Sequence, residues 1–186
     1  SVNGVDVNNT ASLAAGIDSL ISHSSASHVF APSTTLARAG LGLISARRDA
    51  GLASDVTELS VRDGAIIARR PQFSGKAFCE VVTKSELALY TIRPGSFVPS
   101  ASGQALTAES IESIECQADE RSAKIEVLRI EQSEATVVDL TEADRIVSGG
   151  RSVGTKEKFD ELIRPLAAAL GATPGASRAA VDNGYA

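Results

Sequence analysis

The chain has 186 residues, with 18 lysines and arginines against 23 aspartates and glutamates, and a formal net charge of −5. Nucleic-acid binders normally carry a basic stripe, so this balance excludes that class. No apolar run reaches the ~18–20 residues that a bilayer-spanning helix needs, which argues against membrane insertion. With 43% hydrophobic and 22% charged residues, the composition is that of an ordinary globular protein.

The negative charge is concentrated in residues 109–134, which carry eight acids and three bases. We interpret this stretch as a solvated strand face and loop. The alternative is a docking surface for a basic partner.

The sequence offers no clear metal-binding or catalytic constellation. Cys79 and Cys116 have no metal-type spacing, and we expect both to be reduced, buried thiols of an intracellular protein. The two histidines, His23 and His28, are not grouped with other metal-ligating residues. The chain contains no methionine, so we interpret it as processed or as a fragment.

The first part of the chain is predicted to alternate helices and strands. Thr10 is expected to cap a helix that runs to about Ser22. Residues 28–31 are predicted to form a central strand that ends at Pro32. A second helix is predicted from residue 33 or 34 to residue 50, closed by Gly51. This order indicates α/β layering.

From Asp55 onward the hydrophobic period changes to two. Strands are predicted over residues 57–61, 65–70, 76–83 and 86–93, with Asp63-Gly64 as a hairpin turn. Residues 96–104 are expected to form a loop. Residues 111–116 and 125–130 are predicted to be short extended segments.

The last 42 or so residues predict a β-α-β unit, in which parallel strands bind ligands at their carboxyl ends. A short buried strand at Ile146 and Val147 leads into a glycine turn. Thr155 is a candidate N-cap for the helix that follows. Its predicted apolar face is Phe159, Leu162, Ile163, Leu166 and Leu170. Pro165 predicts a kink, and Gly171 the helix end.

Two motifs in this stretch, together with the helix between them, resemble a known protein family. The turn Ser148-Gly-Gly-Arg151, the Phe159 helix and the block Gly175-Ala-Ser-Arg-Ala-Ala-Val-Asp-Asn-Gly184 resemble the FAD-binding domain of the electron transfer flavoprotein alpha subunit family. The match is sharp over about residues 140–186. Residues 27–92 are similar to the family's N-terminal domain in pattern only.

The resemblance implies an α/β architecture with two parts. Residues 1–138 would form a nucleotide-binding-like (Rossmann-like) N-terminal domain with a β-rich segment. Residues 139–186 would be the first β-α-β part of a doubly wound FAD-binding domain, and so an incomplete one. Some positions depart from the family: Ser152-Val153 follow the turn where a second glycine is common, and Asn183 stands where alanine is usual. The later FAD motifs do not occur, and the N-terminal part has no obvious opening strand, so both ends of the chain look truncated relative to the family.

The function implied by the resemblance is that of an electron carrier rather than an enzyme, with FAD as cofactor. The residues that would contact FAD are Arg151, Ser177 and Arg178, with Gly149, Gly150 and Gly175 allowing close approach. No catalytic residue is implied. A guanidinium near the flavin ring or the phosphates would stabilise negative charge.

The resemblance also implies partners and a location. The chain would pair with a beta subunit, take electrons from flavin dehydrogenases such as the acyl-CoA dehydrogenases of fatty acid β-oxidation, and pass them to a membrane quinone oxidoreductase. Its compartment would be the bacterial cytoplasm or the mitochondrial matrix.

Two other interpretations stay open from the residues alone. One is a non-redox adenine-nucleotide-binding α/β module whose glycine turns hold phosphates. The other is a purely structural segment, in which the glycines serve tight packing and the arginines form ion pairs.

Overall fold

A computed structural model describes residues 2–101, 111–116, 120, 124–130, 140 and 143–186. The chain divides into two compact units, Ser1–Arg129 and Ile130–Ala186. The predicted domain boundary at residue 138 lies outside the described residues. None of the helices in these ranges is long and apolar enough to span a membrane.

The first unit mixes parallel and antiparallel sheets with two helices. In chain order its elements are β1 (Val2–Asn3), α1 (Thr10–Ser24), β2 (His28–Pro32), α2 (Thr35–Arg48), β3 (Gly51–Val56), β4 (Glu58–Arg62), β5 (Ala65–Gln72), β6 (Ala77–Val82), β7 (Ala88–Ile92) and β8 (Ile114–Glu115). The order β2-β7-β3 forms a parallel sheet, β4-β5-β6 an antiparallel one, and β1 pairs with β8 in parallel. This arrangement confirms the predicted α/β class with its β-rich segment.

The two helices of this unit share one hydrophobic core cluster with the parallel sheet. Ala14 and Ile21 from α1 meet Leu41 and Ile44 from α2, together with Leu89 of β7, in one core cluster. The sequence pattern predicts one apolar face for α1, formed by Leu13, Ile17, Leu20 and Ile21. Ile21 is buried, whereas Leu20 is exposed, so this prediction is only partly correct.

The beginning of α1 also differs from the prediction. Asn9, not Thr10, is the N-cap: its Oδ1 accepts hydrogen bonds from the backbone N–H groups of Ala11 (3.0 Å) and Ser12 (3.2 Å). Asn9 is buried, and its Nδ2 donates to the carbonyl of Ile125 at 3.0 Å. A side-chain amide both caps the helix and ties down a distant segment, which a threonine hydroxyl at the next position would not do.

The parallel sheet contains a strand that the sequence pattern does not predict. The helix α2 ends at Arg48 and its C-cap is Asp49, whose φ of 50° is left-handed, so Gly51 does not close the helix but begins β3. A Cβ at Gly51 would lie 2.1 Å from Cγ2 of Thr83. The central strand of this sheet is β7. The prediction that residues 28–31 form a central strand is wrong, because β2 has β7 as its one neighbouring strand in the described sheet and therefore lies at the edge.

The hairpin of β4 and β5 turns at Asp63-Gly64, as the sequence predicts. Asp63 and Gly64 both have positive φ, 52° and 77°, which is the geometry that a two-residue type I′ turn requires. Residues 125–130, by contrast, lie in neither a helix nor a strand. Neither Cys79 nor Cys116 is in a disulfide, and both are only half-buried, so the expectation that both are buried is wrong.

The second unit is the β-α-β arrangement that the sequence predicts. Its elements are β9 (Ile146–Gly149), a 3₁₀ turn (Arg151–Val153), α3 (Lys156–Ala169), β10 (Thr173–Ala176) and α4 (Arg178–Asp182). Strands β9 and β10 pair in parallel, with Ile146 opposite Thr173 and Gly149 opposite Ala176.

The ends of α3 are fixed by local hydrogen bonds. Thr155 Oγ1 accepts from the backbone N–H of Lys158 at 3.3 Å, which confirms the predicted N-cap. The helix continues through Pro165. At its other end, Gly171 has a φ of 57° and the backbone N–H of Ala172 donates to the carbonyl of Ala167 at 2.9 Å. This is a Schellman motif, in which glycine supplies the left-handed residue.

The buried face of α3 is narrower than predicted. Phe159 and Ala167 are buried and Ile163 is half-buried, whereas the other three predicted core residues are exposed in this unit: Leu162, Leu166 and Leu170. Residues spaced by four form one ridge of a helix, and a two-stranded sheet is wide enough to cover only one ridge. Ile146, predicted to be buried, is 49% exposed.

Candidate functional site

The two glycine-containing motifs of the second unit meet at one edge of the sheet. Strands β9 and β10 end side by side, and the backbone N–H of Ser177 donates to the carbonyl of Gly149 at 3.0 Å. Arg151 and Arg178 each follow the carboxyl end of one of these strands. They therefore lie at the same edge, as the β-α-β order predicts.

Arg151 is displayed by the tight turn after β9. The backbone N–H of Val153 bonds to the carbonyl of Gly150 at 3.0 Å and closes this turn. The Arg151 side chain is exposed, and it has no ion-pair partner among the described residues. Its guanidinium is consequently available to a ligand.

Arg178 is the first residue of α4, and its side chain is 94% exposed. Its Nε lies 3.5 Å from Oδ2 of Asp182, four residues later in the helix. Exposed i,i+4 pairs of this kind contribute little, so Arg178 is held only weakly. A bound anion could replace Asp182 as its partner.

Ser177 connects these two elements. As the N-cap of α4, its Oγ accepts from the backbone N–H of Ala180 at 3.4 Å. That bond uses an acceptor lone pair, and the hydroxyl keeps its O–H to donate. A Cβ at Gly150 would lie 3.9 Å from this Oγ and would meet no closer atom. The backbone at Gly150 therefore borders open space beside the serine.

The other two glycines are explained by packing. A Cβ at Gly149 would lie 2.8 Å from Cε2 of Phe159 and 2.9 Å from Cγ1 of Ile163, so glycine lets α3 pack onto β9. A Cβ at Gly175 would lie 3.0 Å from Cγ2 of Ile146. These contacts supply a structural reason for both glycines.

The first half of α3 carries further charged residues. Asp160 accepts hydrogen bonds from Arg164 Nε at 2.6 Å and Lys156 Nζ at 3.0 Å, and these bonds hold the pKa of Asp160 below its usual range. Backbone hydrogen bonding, then the Thr155 hydroxyl, likewise lowers the pKa of Glu157. Lys156 is thus engaged within α3, which leaves Arg151 and Arg178 as the loosely held cations of the two motifs.

Comparisons with known proteins assign both units. The profile of the electron transfer flavoprotein domain matches residues 2–135, and that of the electron transfer flavoprotein FAD-binding domain matches residues 139–186. The chain belongs to the electron transfer flavoprotein alpha subunit family. FAD is therefore the cofactor of the domain that the second unit represents.

Individual relatives agree with this assignment. The chain is 41% identical over 143 residues to the electron transfer flavoprotein subunit alpha of Bacillus subtilis (strain 168), which covers 76% of the chain and 42% of that protein. It is 39% identical over 160 residues to the corresponding subunit of Paracoccus denitrificans, covering 86% and 49%. It is 36% identical over 145 residues to Protein FixB of Clostridium saccharobutylicum, covering 76% and 42%. The chain thus spans less than half the length of these relatives.

The residues at the carboxyl edge of this flavoprotein domain fit part of FAD. FAD carries two phosphates, and the edge presents two guanidinium groups, one hydroxyl and an open glycine backbone. Arginine is suited to phosphate because its planar fork makes paired, charge-assisted hydrogen bonds. In the described ranges, no group of three or more His, Cys, Asp or Glu is placed to hold a metal ion.

Proposed function

We propose that this alpha-subunit chain acts in an electron carrier that pairs with an electron transfer flavoprotein beta subunit. The carrier accepts electrons from flavin dehydrogenases, including the acyl-CoA dehydrogenases of fatty acid β-oxidation. It passes them to a membrane quinone oxidoreductase. It works in the bacterial cytoplasm or the mitochondrial matrix.

The observation that carries this proposal is the meeting of Arg151, Ser177 and Arg178 at one sheet edge, fixed by the 3.0 Å bond from Ser177 N–H to the Gly149 carbonyl. The carboxyl edge of a parallel sheet is where open α/β folds hold their ligands. The residues come from two motifs about 27 positions apart, joined only through the β-α-β crossover.

When bound, FAD supplies the electron-transfer chemistry, so the protein needs no nucleophile or proton-transfer group of its own. The chain's own residues bind and orient the cofactor. Arg151 and Arg178 place positive charge beside it, and Ser177 donates a hydrogen bond. Gly150 lets the backbone approach without a side chain in the way.

The histidines of the described residues suit this non-catalytic role. His28 Nδ1 lies 2.9 Å from the hydroxyl of the neighbouring Ser27, and its ring stacks over Tyr90. His23 Nε2 lies 3.2 Å from Glu112 Oε1 on an exposed surface. Neither arrangement places a nucleophile, a base and an orienting group in sequence, which is the pattern of covalent catalysis.

The test is electron transfer by the full-length alpha subunit purified with its beta partner. An acyl-CoA dehydrogenase and its substrate should bleach the flavin absorbance of the complex, and a quinone oxidoreductase supplied with an oxidised quinone as electron acceptor should then restore it. A complex that carries flavin but exchanges electrons with neither protein would overturn the proposed partners. A complex that binds ATP or AMP and no flavin would favour the adenine-nucleotide-binding module instead.

A further inference from the structure

The parallel sheet of the first unit has a pocket at its carboxyl edge that the proposed function does not use. Strands β2 and β7 end side by side, with Pro32 opposite Ile92, and the backbone N–H of Ser33 donates to the carbonyl of Ile92 at 2.7 Å. An open pocket of about 340 Å³ is lined by the ends of these two strands and by the chain that follows β7. Open α/β sheets bind their ligands at this edge.

The walls of the pocket are almost wholly apolar. Phe30 and Phe97 are 48% and 44% exposed, and the other apolar lining residues are alanine, isoleucine, glycine and two prolines. Among the lining residues, Arg93 is the one with a polar side chain. Two half-exposed aromatic rings at one pocket provide apolar surface that a ligand would remove from water.

Phe30 offers this ligand a stacking surface. Its ring centre lies 4.9 Å from that of Tyr90, and the two ring planes differ by 13°. Tyr90 is buried in the core, so Phe30 is the outer ring of the stacked pair. Aromatic rings favour such offset stacking, and a planar ligand ring can extend the stack by one layer.

Arg93 supplies hydrogen-bond donors at the same pocket. Its Nε and Nη2 donate to the two carboxylate oxygens of Asp55, Nε at 2.9 Å. Its Nη1 makes no hydrogen bond to the residues that the structure describes, and the side chain is 45% exposed. Because a guanidinium has five N–H donors, Arg93 can hold Asp55 and still donate to a second carboxylate.

The charge around Asp55 is positive in balance. Hydrogen bonds from Arg93, and then the charges of Arg93, Arg38 and Arg70, hold the pKa of Asp55 below its usual range. Arg38 is exposed in the first turn of α2 and forms no salt bridge with a described residue. The Nε of Arg70 is buried without a partner in the described ranges, so we assign Arg70 no contact with a ligand. One carboxylate against three guanidinium groups favours an anion at this edge.

We propose that this pocket binds a small aromatic carboxylate, whose ring stacks on Phe30 beside Phe97 and whose carboxylate accepts hydrogen bonds from Arg93. A nucleotide fits less well, because its ribose hydroxyls would lie against apolar side chains and lose their bonds to water. The pocket volume lies at the small end of the range for ligand sites, and apolar walls with a few polar groups are typical of such sites.

The test is an NMR titration of the whole chain at constant ionic strength, followed through the Arg93 Nε–H signal and the ring signals of Phe30 and Phe97. Phenylpropionate is the probe. Phenylpropanol carries the ring without the charge, and propionate carries the charge without the ring. We expect phenylpropionate to shift all three signals saturably, and each of the other two compounds to bind several-fold more weakly.

Variants separate the contribution of the ring from that of the charge. Phe97→Ala should weaken phenylpropionate binding several-fold, whereas Phe73→Ala is the matched control, because Phe73 is 77% exposed and does not line the pocket. Arg93→Gln should make phenylpropionate and phenylpropanol bind alike. Asp55→Asn should tighten phenylpropionate binding, since it removes the carboxylate that competes for Arg93.

Several outcomes would overturn the site. Phenylpropanol or propionate binding as tightly as phenylpropionate would show that the pocket does not recognise a ring and a charge together. Weaker binding to Asp55→Asn would mean that Arg93 does not hold the ligand, and an unchanged affinity in Phe97→Ala would place the ring elsewhere. AMP serves as the nucleotide probe, and tighter binding of AMP than of phenylpropionate would show that the aromatic carboxylate is the wrong class.

Discussion

Ser177 donates its backbone N–H to the carbonyl of Gly149 at 3.0 Å, across the ends of the two parallel strands β9 and β10. This bond extends the ladder by one step and joins the residue that starts α4 to the residue that ends β9. The position of Arg178 relative to Arg151 therefore depends on the packing beneath Gly149.

Gly149→Ala is the direct test of that packing. The added methyl would lie within 3.0 Å of Phe159 and Ile163, so α3 must shift, and we expect a loss of about 1–3 kcal/mol in the stability of this unit. Hydrogen exchange of the Ser177 amide measures the loss. Gly150→Ala is the matched control, since its nearest atom is 3.9 Å away, and it should change stability by less than about 0.5 kcal/mol. Equal losses in the two variants would show that Gly149 does not serve packing.

The N-cap of α1 gives a second prediction. Asn9→Ala removes the acceptor for two backbone N–H groups and the donor to Ile125, at a cost of about 1–2 kcal/mol. Chemical denaturation measures it. The neighbouring Asn8 is exposed, so Asn8→Ala should cost less than about 0.5 kcal/mol. If Asn9→Ala were as stable as Asn8→Ala, the cap would lie elsewhere, for example at Thr10.

The Asp55–Arg93 pair predicts a pH dependence. Because Arg93 lowers the pKa of Asp55 in the folded state, the pair stabilises the protein at pH values above the ordinary carboxyl pKa of about 3.9. That contribution is lost as the pH falls through the lowered pKa. Asp55→Asn should therefore cost about 0.5–1 kcal/mol at neutral pH, and progressively less in acid.

Asparagine suits this test because it tolerates the left-handed backbone that Asp55 adopts, with a φ of 61°. Asp63→Asn is the control, since Asp63 has a φ of 52° and no ion pair among the described residues. Denaturation curves at several pH values should converge for Asp55→Asn and the wild type in acid. A stability difference that is constant with pH would refute the ionic origin.

The sequence predicts elements well where local chemistry decides them. The Asp63-Gly64 turn, the Thr155 cap and the β-α-β order depend on neighbouring residues, and the structure confirms all three. The sequence does not predict strand β3, because Gly51-Leu-Ala-Ser-Asp55 has no alternating pattern; this segment becomes a strand by pairing with β7. Likewise, a helical wheel cannot tell which ridge of α3 is buried, since that depends on the width of the sheet beneath it.

The candidate site, too, is predictable from the sequence only where neighbouring residues decide its geometry. The β-α-β order alone predicts that Arg151 and Arg178 lie at the same edge of the sheet. The packing roles of Gly149 and Gly175 are not predictable from the sequence, because they depend on tertiary contacts. Gly149 packs against Phe159 and Ile163, and Gly175 packs against Ile146. The burial of the Arg70 Nε without a hydrogen-bond partner among the described residues is not predictable either, because it depends on the pairing of β5 with β6.

Arg178 should influence the flavin more than it influences FAD affinity. In the full-length heterodimer, we expect Arg178→Ala to retain FAD but to lower its reduction potential, because a fixed positive charge favours the reduced, negatively charged forms. Charge-assisted hydrogen bonds contribute ~1.5–3 kcal/mol, which corresponds to roughly 30–60 mV for a two-electron couple. Arg178→Lys should recover part of the shift, since an ammonium lacks the planar fork.

A spectroscopic redox titration measures these potentials. Arg164→Ala is the control, because Arg164 lies on α3 and is bound to Asp160. It should leave the potential unchanged. An unchanged potential in Arg178→Ala, with FAD still bound, would mean that Arg178 is an ordinary structural arginine.

The central claim, that the carboxyl edge of the second unit holds FAD, is tested most directly by the visible absorption spectrum of the full-length alpha subunit with its beta partner after desalting. The account predicts a flavin spectrum with one FAD per heterodimer, and loss of FAD when Arg151 and Ser177 are both replaced by alanine. A colourless complex, or one whose FAD content is unaffected by that double replacement, would contradict it.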